Sequence, residues 1–227
     1  MKVAAVLLAA GRGERLGFHV PKAFVELDGR PLLLHSFDVV RDSVAAADIV
    51  VTVPASWEAR TSALVGDDAR VVTGGGTRQR SVAAALEAVM EGGEPDVIVC
   101  HDVARPFASA ALYEAVIAVL ESDVGADGAI PVIPIVDTLK RVDGGHVVET
   151  IPRDGIVRVQ TPQAFRFAWL ARAHREAGPP KDPATDDASL LERIGRRVAT
   201  VEGETDNIKI TTEEDLRLAT SIGRSRG

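Results

Sequence analysis

Short apolar runs bounded by glycine or proline recur along the chain: VAAVLLAA (3–10), ADIVVTVPA (47–55), ARVVTGG (69–75), DVIVCHD (96–102) and GAIPVIP (128–134). Their apolar residues are consecutive rather than alternating, which marks strands covered on both faces. Between them lie PLLLHSFDVVRD (31–42), TRQRSVAAALEAVME (77–91) and ALYEAVIAVLES (111–122), whose apolar residues return at helical spacing. The alternation predicts an α/β sheet with covering helices.

Length and composition allow this. With 227 residues, 46% apolar and 26% charged, the chain can bury a sizeable core. The formal net charge of −7 argues against a sequence-independent nucleic-acid binder, which needs a basic face, but not against a small phosphorylated substrate. Cys100 is the only cysteine, so no intrachain disulfide can form and a reducing, cytoplasmic setting is expected. No apolar run approaches the ~20 residues of a membrane-spanning helix. The first apolar run reads as a core strand rather than a secretion signal, because Arg12, Glu14 and Arg15 stand where a cleavage site should finish.

The rhythm changes after residue 134. IVDTLKRVDGGHVVETI (135–151) alternates on both sides of an Asp-Gly-Gly turn and predicts an exposed two-stranded arm, at about 135–152, inserted in one domain over 1–227. VRVQTPQAF then leads into a helix to about Ala177, the KDPATDD loop (181–187) starts another, and RRVATVEG (196–203) is a late strand. TTEEDLRLATSIG (211–223) is a closing helix with threonine at its cap and acids in its first turn.

Three strand ends carry candidate chemistry. GRGERLG is close to the dinucleotide fingerprint, but Pro21 lies four residues past its third glycine and leaves no room for the helix that fingerprint requires. An extended loop over the sheet's carboxyl edge is expected instead, with Gly11 and Gly13 letting backbone amides approach phosphate and Arg15 and Lys22 adding cations. TGGGTRQRSV sets three glycines before a helix N-terminus, where open amides and Ser81 suit a base or phosphate edge, or form a plain turn. VIVCHDVARPF ends a strand in His101-Asp102. The aspartate suits a hard cation such as Mg²⁺, or alternatively caps the next helix, and His101 reads as structural. Lys209 adds a cation late in the chain, and no persuasive acid/base pair or Ser-His-Asp arrangement is visible.

Seven motifs in order, LAAGRGERLGFHVPKAF, GGGTRQRSV, HDVARPF, VDTLKRV, QTPQAF, TDDASLLE and VEGETDNIKITTEEDL, resemble the 2-C-methyl-D-erythritol 4-phosphate cytidylyltransferase family. The resemblance implies a Rossmann-like three-layer domain with a mixed, mostly parallel sheet of the nucleotide-diphospho-sugar transferase type. It implies transfer of CMP from CTP to methylerythritol phosphate with release of pyrophosphate, with Mg²⁺. By the same resemblance, Arg15 and Lys22 contact the triphosphate and stabilise the α-phosphorus. Ala9, Ala10, Gly11, Gly75, Gly76 and Ser81 fall on the cytidine loops, and Asp102 lies near Mg²⁺ and substrate. Arg105, Thr161, Thr185 and Lys209 fall around the methylerythritol phosphate and α-phosphate. Thr138 and Arg153, on the arm, reach the neighbouring subunit's site in a homodimer. Ala23 and Val103 depart from the family's usual glutamine and alanine, and packing changes rather than lost activity are expected there. A cytidylyltransferase for another polyol phosphate, such as ribitol 5-phosphate, and a silent nucleotide-binding module are the alternatives.

Overall fold

Why the first apolar run lacks a polar face is visible in its packing. In β1 (Val3–Leu8), Val3, Ala5 and Leu7 join one buried cluster, while Ala4 and Val6 join another on the opposite side of the sheet. The structure, a computed structural model, describes residues 1–11, 13, 16–122, 125–178 and 184–226.

After β1 the chain passes a single 3₁₀ turn (Lys22–Phe24) and a small hairpin, β2 (Glu26–Leu27) and β3 (Arg30–Pro31). α1 (Leu32–Ser43), β4 (Ala46–Val53), α2 (Glu58–Val65), β5 (Arg70–Thr73) and α3 (Arg78–Glu91) follow. Thr77 starts α3 by accepting the Arg80 amide on its hydroxyl. β6 (Val97–Asp102) leads to α4 (Ala110–Glu121), capped by Ser109 rather than by Asp102. β7 (Gly128–Pro134) comes before the predicted arm, formed by β8 (Leu139–Asp143) and β9 (His146–Ile151). Gly144 and Gly145 both take positive φ at its turn, as a two-residue hairpin connection requires.

The stretch VRVQTPQAF, read as a lead-in to a helix, instead supplies two strands, β10 (Val157–Val159) and β11 (Gln163–Arg166), before α5 (Phe167–Ala177). Its strand signal is hidden because β11 inserts antiparallel between β6 and β7, a pairing that only the tertiary fold creates. α6 (Ala188–Arg193), β12 (Val198–Glu202) and α7 (Glu213–Arg226) complete the described chain, with Thr212 accepting the Asp215 amide at the start of α7. α2 carried no clear sequence signal, since only Thr61 and Val65 of its eight residues are buried.

Among the described residues the main sheet has eight strands in the order β10-β7-β11-β6-β1-β4-β5, with β12 also on β7. β6, β1, β4 and β5 are parallel, and β12 is parallel to β7, whereas β10 and β11 are antiparallel to their neighbours. α1 and α4 cover one face, through residues such as Phe37 and Tyr113, and α3, α5 and α6 cover the other, through Val82, Leu170 and Leu191. The architecture is therefore a three-layer α/β fold with a mixed, mostly parallel sheet. A smaller cluster of Leu16, Val25, Leu27, Leu32, Phe107, Ile210 and Ala219 seats α7 beside the β2–β3 hairpin. Among the described residues, no helix is long and apolar enough to cross a membrane.

Candidate active site

The four parallel strands end along one edge, and their following loops enclose a cavity of about 410 Å³, within the range of small-ligand pockets. Ala9, Ala10 and Gly11 arrive from β1, Pro54 and Ala55 from β4, Gly74–Gly76 from β5, and Asp102 from β6. Close approach of these loops explains the glycines. A Cβ on Gly74 would lie 2.4 Å from the Ala10 Cβ, and one on Gly75 would lie 2.2 Å from the Arg80 Cβ. The Ser81 hydroxyl accepts the Gly75 amide at 3.1 Å and sits 3.1 Å from the Thr77 carbonyl. Its bonds thus shape the glycine loop as well as lining the cavity. The resulting wall is uncharged and rich in backbone groups, at the N-terminus of α3, where amides favour an anion.

Lys22 enters from the long loop after β1. Its amide donates to the Gly11 carbonyl at 3.2 Å, which folds the loop back on itself. The 3₁₀ turn then buries Ala23 and Phe24, and the Phe24 ring lies 4.3 Å from that of Trp57. Ala23 at 1% exposure and Val103 at 2%, where the sequence departs from the family pattern, both pack in the core and also line the cavity. Arg15 lies outside the described residues.

Asp102 is the electrostatic centre. Its Oδ1 accepts from Arg78 Nε at 3.0 Å and its Oδ2 from Lys209 Nζ at 2.6 Å. Burial would raise its carboxyl pKa, but Arg78 and Lys209 reverse this and hold it well below the usual carboxylate range. Arg78 also reaches the buried Asp187, Nη1 to Oδ2 at 2.7 Å, and His174 Nε2 lies 3.4 Å from the other Asp187 oxygen. Burial opposes the charge on Arg78, yet Asp187 and Asp102 keep it firmly protonated. Read from the sequence, Arg78, Asp187 and His174 have no assigned role, because spacing cannot say which charges near a helix end face inward.

Behind Asp102 sits a second polar network. His101 is fully buried, with Nε2 3.1 Å from the Arg105 carbonyl and Nδ1 3.1 Å from the Thr161 hydroxyl. A carbonyl only accepts, so the proton belongs on Nε2, and Nδ1 accepts from Thr161, whose oxygen in turn accepts the Asp102 amide. Arg105 donates to the Asn207 carbonyl at 2.8 Å and the Val159 carbonyl at 3.2 Å. The Asn207 amide donates to the Thr161 carbonyl at 2.9 Å. Arg105 and Thr161 therefore brace the cavity floor and do not line it, and Thr185, Thr138 and Arg153 are exposed and also outside its lining. Lys22, Ala9, Ala10, Gly11, Gly75, Gly76, Ser81, Asp102 and Lys209 line it together.

Burial pushes the His101 pKa down to about 4. Unfolded, the ring titrates near 6.5, so between these values the unfolded chain binds a proton that the folded chain refuses. Stability is thus fully present above about pH 6.5 and drains as pH falls to about 4, by roughly 3 kcal/mol. Asp102 adds its own loss only below its ordinary value, near pH 4. Urea midpoints at pH 7 and 4.5 are expected to differ less in His101→Gln than in the parent; an equal difference would acquit His101.

The family profile described as 2-C-methyl-D-erythritol 4-phosphate cytidylyltransferase matches residues 3–225. This chain belongs to that family. A protein of that name from Frankia casuarinae is 42% identical over 223 residues, which is 97% of this chain and 81% of that one. The bifunctional enzyme IspD/IspF of Granulibacter bethesdensis is 40% identical over 216 residues, 95% of this chain and 55% of its own length. The chain thus spans about half the length of such bifunctional relatives. A crystal structure of a 2-C-methyl-D-erythritol 4-phosphate cytidylyltransferase from Thermus thermophilus superposes with a TM-score of 0.79 at 37% identity, over 96% of this chain and 98% of that one. The family places this fold among nucleotidyltransferases, in agreement with the sequence reading.

Proposed function

We infer that this chain transfers a cytidylyl group from CTP to the phosphate of 2-C-methyl-D-erythritol 4-phosphate, releasing pyrophosphate. The observation that carries this reading is the charge layout of the cavity: Lys22, Arg78 and Lys209 around a single described carboxylate, Asp102, beside a neutral glycine wall. A phosphate nucleophile is already ionised at neutral pH, so the reaction asks for no strong base. It asks for cations held in place where charge accumulates on the α-phosphate and the departing pyrophosphate. Lys22 and Lys209, with Arg15, suit that task, and the glycine wall suits a nucleotide held by backbone groups.

Mg²⁺ fits this donor set as a cation brought in by the triphosphate. Among the described residues no cluster of three or more acidic, histidine or cysteine side chains is gathered for a metal, and Asp102 offers one hard oxygen ligand beside Lys209. Mg²⁺ typically takes one or two carboxylates and completes its shell with phosphate oxygens and water. When bound it would neutralise charge on the triphosphate. Asp102 is the residue that would hold it.

Pyrophosphate release with CTP and Mg²⁺, with methylerythritol phosphate and ribitol 5-phosphate run side by side, tests the reading. Turnover with methylerythritol phosphate supports it; turnover with ribitol phosphate alone, or CTP binding without reaction, overturns it.

The arm supports a homodimer with shared sites. Val142 and Val147 are cross-strand partners at 58% and 63% exposure, and Val136 at its base is 76% exposed. Such apolar surface is costly to leave in water and suits a second copy. Thr138 and Arg153 flank the arm, Arg153 donating to the Val136 carbonyl, and on this reading they serve the neighbouring site. Val142→Lys combined with Val147→Lys is expected to halve the mass measured by light scattering. Arg153→Ala is expected to raise the acceptor KM, and mixing it with an Arg15→Ala protein to restore some activity; no recovery would argue for self-contained sites.

A further inference from the structure

Asp102 holds its two cations in unlike ways. Arg78 leaves the first turn of α3 with 20% of its side chain exposed and spans two carboxylates, Asp102 at 3.0 Å and Asp187 at 2.7 Å. Asp187 is 1% exposed and is backed by His174. Among the described residues, Lys209 pairs with Asp102 alone, and 42% of its side chain is exposed. The four charges of Arg78, Lys209, Asp102 and Asp187 sum to zero.

The consequences of moving each cation differ. A guanidinium is a planar fork that serves two carboxylates at once, whereas an ammonium on a four-carbon stem exchanges partners readily. If Arg78 swung toward a substrate, the buried Asp187 carboxylate would lose its cation, which is strongly unfavourable. If Lys209 swung, nothing buried would be stranded, because Asp102 would keep Arg78.

We propose that Arg78 and Asp187 are positioning residues: Asp187 clamps Arg78, Arg78 fixes Asp102 as a permanently compensated carboxylate, and Lys209 is thereby the cation free to transfer to substrate phosphate. This rests on the cytidylyl-transfer reading of the cavity. It also assigns a purpose to a buried charge pair beside a substrate cavity, where an uncompensated Asp102 would hold Lys209 back. Arg78 Nη2 is buried without a hydrogen-bond partner among the described residues, so direct contact with the triphosphate is the rival role.

Three variants, Arg78→Lys, Arg78→Gln and Asp187→Asn, separate these roles, with thermal unfolding identifying those that fold. Calorimetry with a non-hydrolysable CTP analogue gives nucleotide affinity, and steady-state assays give kcat. A misplaced carboxylate and lysine are expected to lower kcat about 10²-fold in Arg78→Lys, with a much smaller change in analogue affinity. Asp187→Asn, which touches no cavity surface, is expected to lower kcat in the same sense. A parallel loss of affinity and kcat in Arg78→Lys, or unchanged kcat in both variants, overturns the proposal.

A readout independent of turnover is the acylation of Lys209 by an amine-reactive ester, followed by mass spectrometry. With Arg78→Gln, Lys209 becomes the only described cation on Asp102, and its labelling is expected to fall several-fold against the unliganded parent. Unchanged or increased labelling in the folded variant overturns the proposal. Should Arg78→Gln fail to fold, Arg78→Lys takes its place: one ammonium cannot span both carboxylates, the more buried Asp187 keeps it, and Asp102 is left to Lys209, so Lys209 labelling is expected to fall and unchanged labelling again counts against the proposal. Failure of the parent with methylerythritol phosphate would sink the functional reading alone, since the labelling still reports on the charge arrangement.

Discussion

Lys22→Ala is expected to lower kcat by about 10²–10³-fold, the cost of losing a preorganised charge contact in a transition state. CTP affinity should change far less, because a group that acts mainly on developing charge contributes little to ground-state binding. The local structure makes the variant interpretable. The Lys22 backbone is held by the Gly11 carbonyl, and Ala23 and Phe24 anchor the turn in the core, so trimming the side chain removes an ammonium and not the loop. Steady-state kinetics paired with calorimetry measure both quantities. An unchanged kcat would take Lys22 out of the mechanism.

Asp102→Ala is expected to abolish measurable turnover and to destabilise the fold by about 3 kcal/mol at pH 7, the lower end of the cost of breaking a buried ion pair. Arg78 would keep Asp187 but lose half its compensation in a site where only 11% of the Asp102 side chain meets water. That is a large part of a typical 5–15 kcal/mol total. Lys209→Met is the informative control. Lys209 is 42% exposed, so solvent already screens its pair, and its loss should cost activity with little change in stability. Guanidinium denaturation of both variants decides the point; equal stability losses would mean that the Arg78–Asp102 pair adds nothing to the Lys209–Asp102 pair.

The same contrast explains how much of the site could be read beforehand. Lys22, Asp102 and Lys209 sit at strand ends or in loops rich in glycine and polar residues, and an α/β sheet presents such ends to a ligand along one edge. Arg78 stands one residue after a cap, a position where a charge faces solvent in most helices. Its inward direction depends on Asp187, 109 positions later in the chain. The motif places Thr161 beside substrate, and in the structure its hydroxyl bonds His101 and the Asp102 amide. A motif match preserves a residue's neighbourhood without stating which atom faces the ligand.

Sequence alone determined the elements whose periodicity is set by local burial: the apolar strands β1, β4, β6 and β7, the capped helices α3 and α7, and the exposed arm with its Gly-Gly turn. Each follows from the requirement that apolar side chains leave water while nearby backbone groups stay paired, which neighbours in the chain can already satisfy. Only the tertiary structure decided that β11 runs antiparallel between β6 and β7, that Gln160 and Asn207 tie the Thr161 and Lys209 segments together, and that Arg78 serves two carboxylates. Those are contacts between residues about 24 to 109 positions apart, and a polar group's partner across such distances is fixed by where the whole core places it.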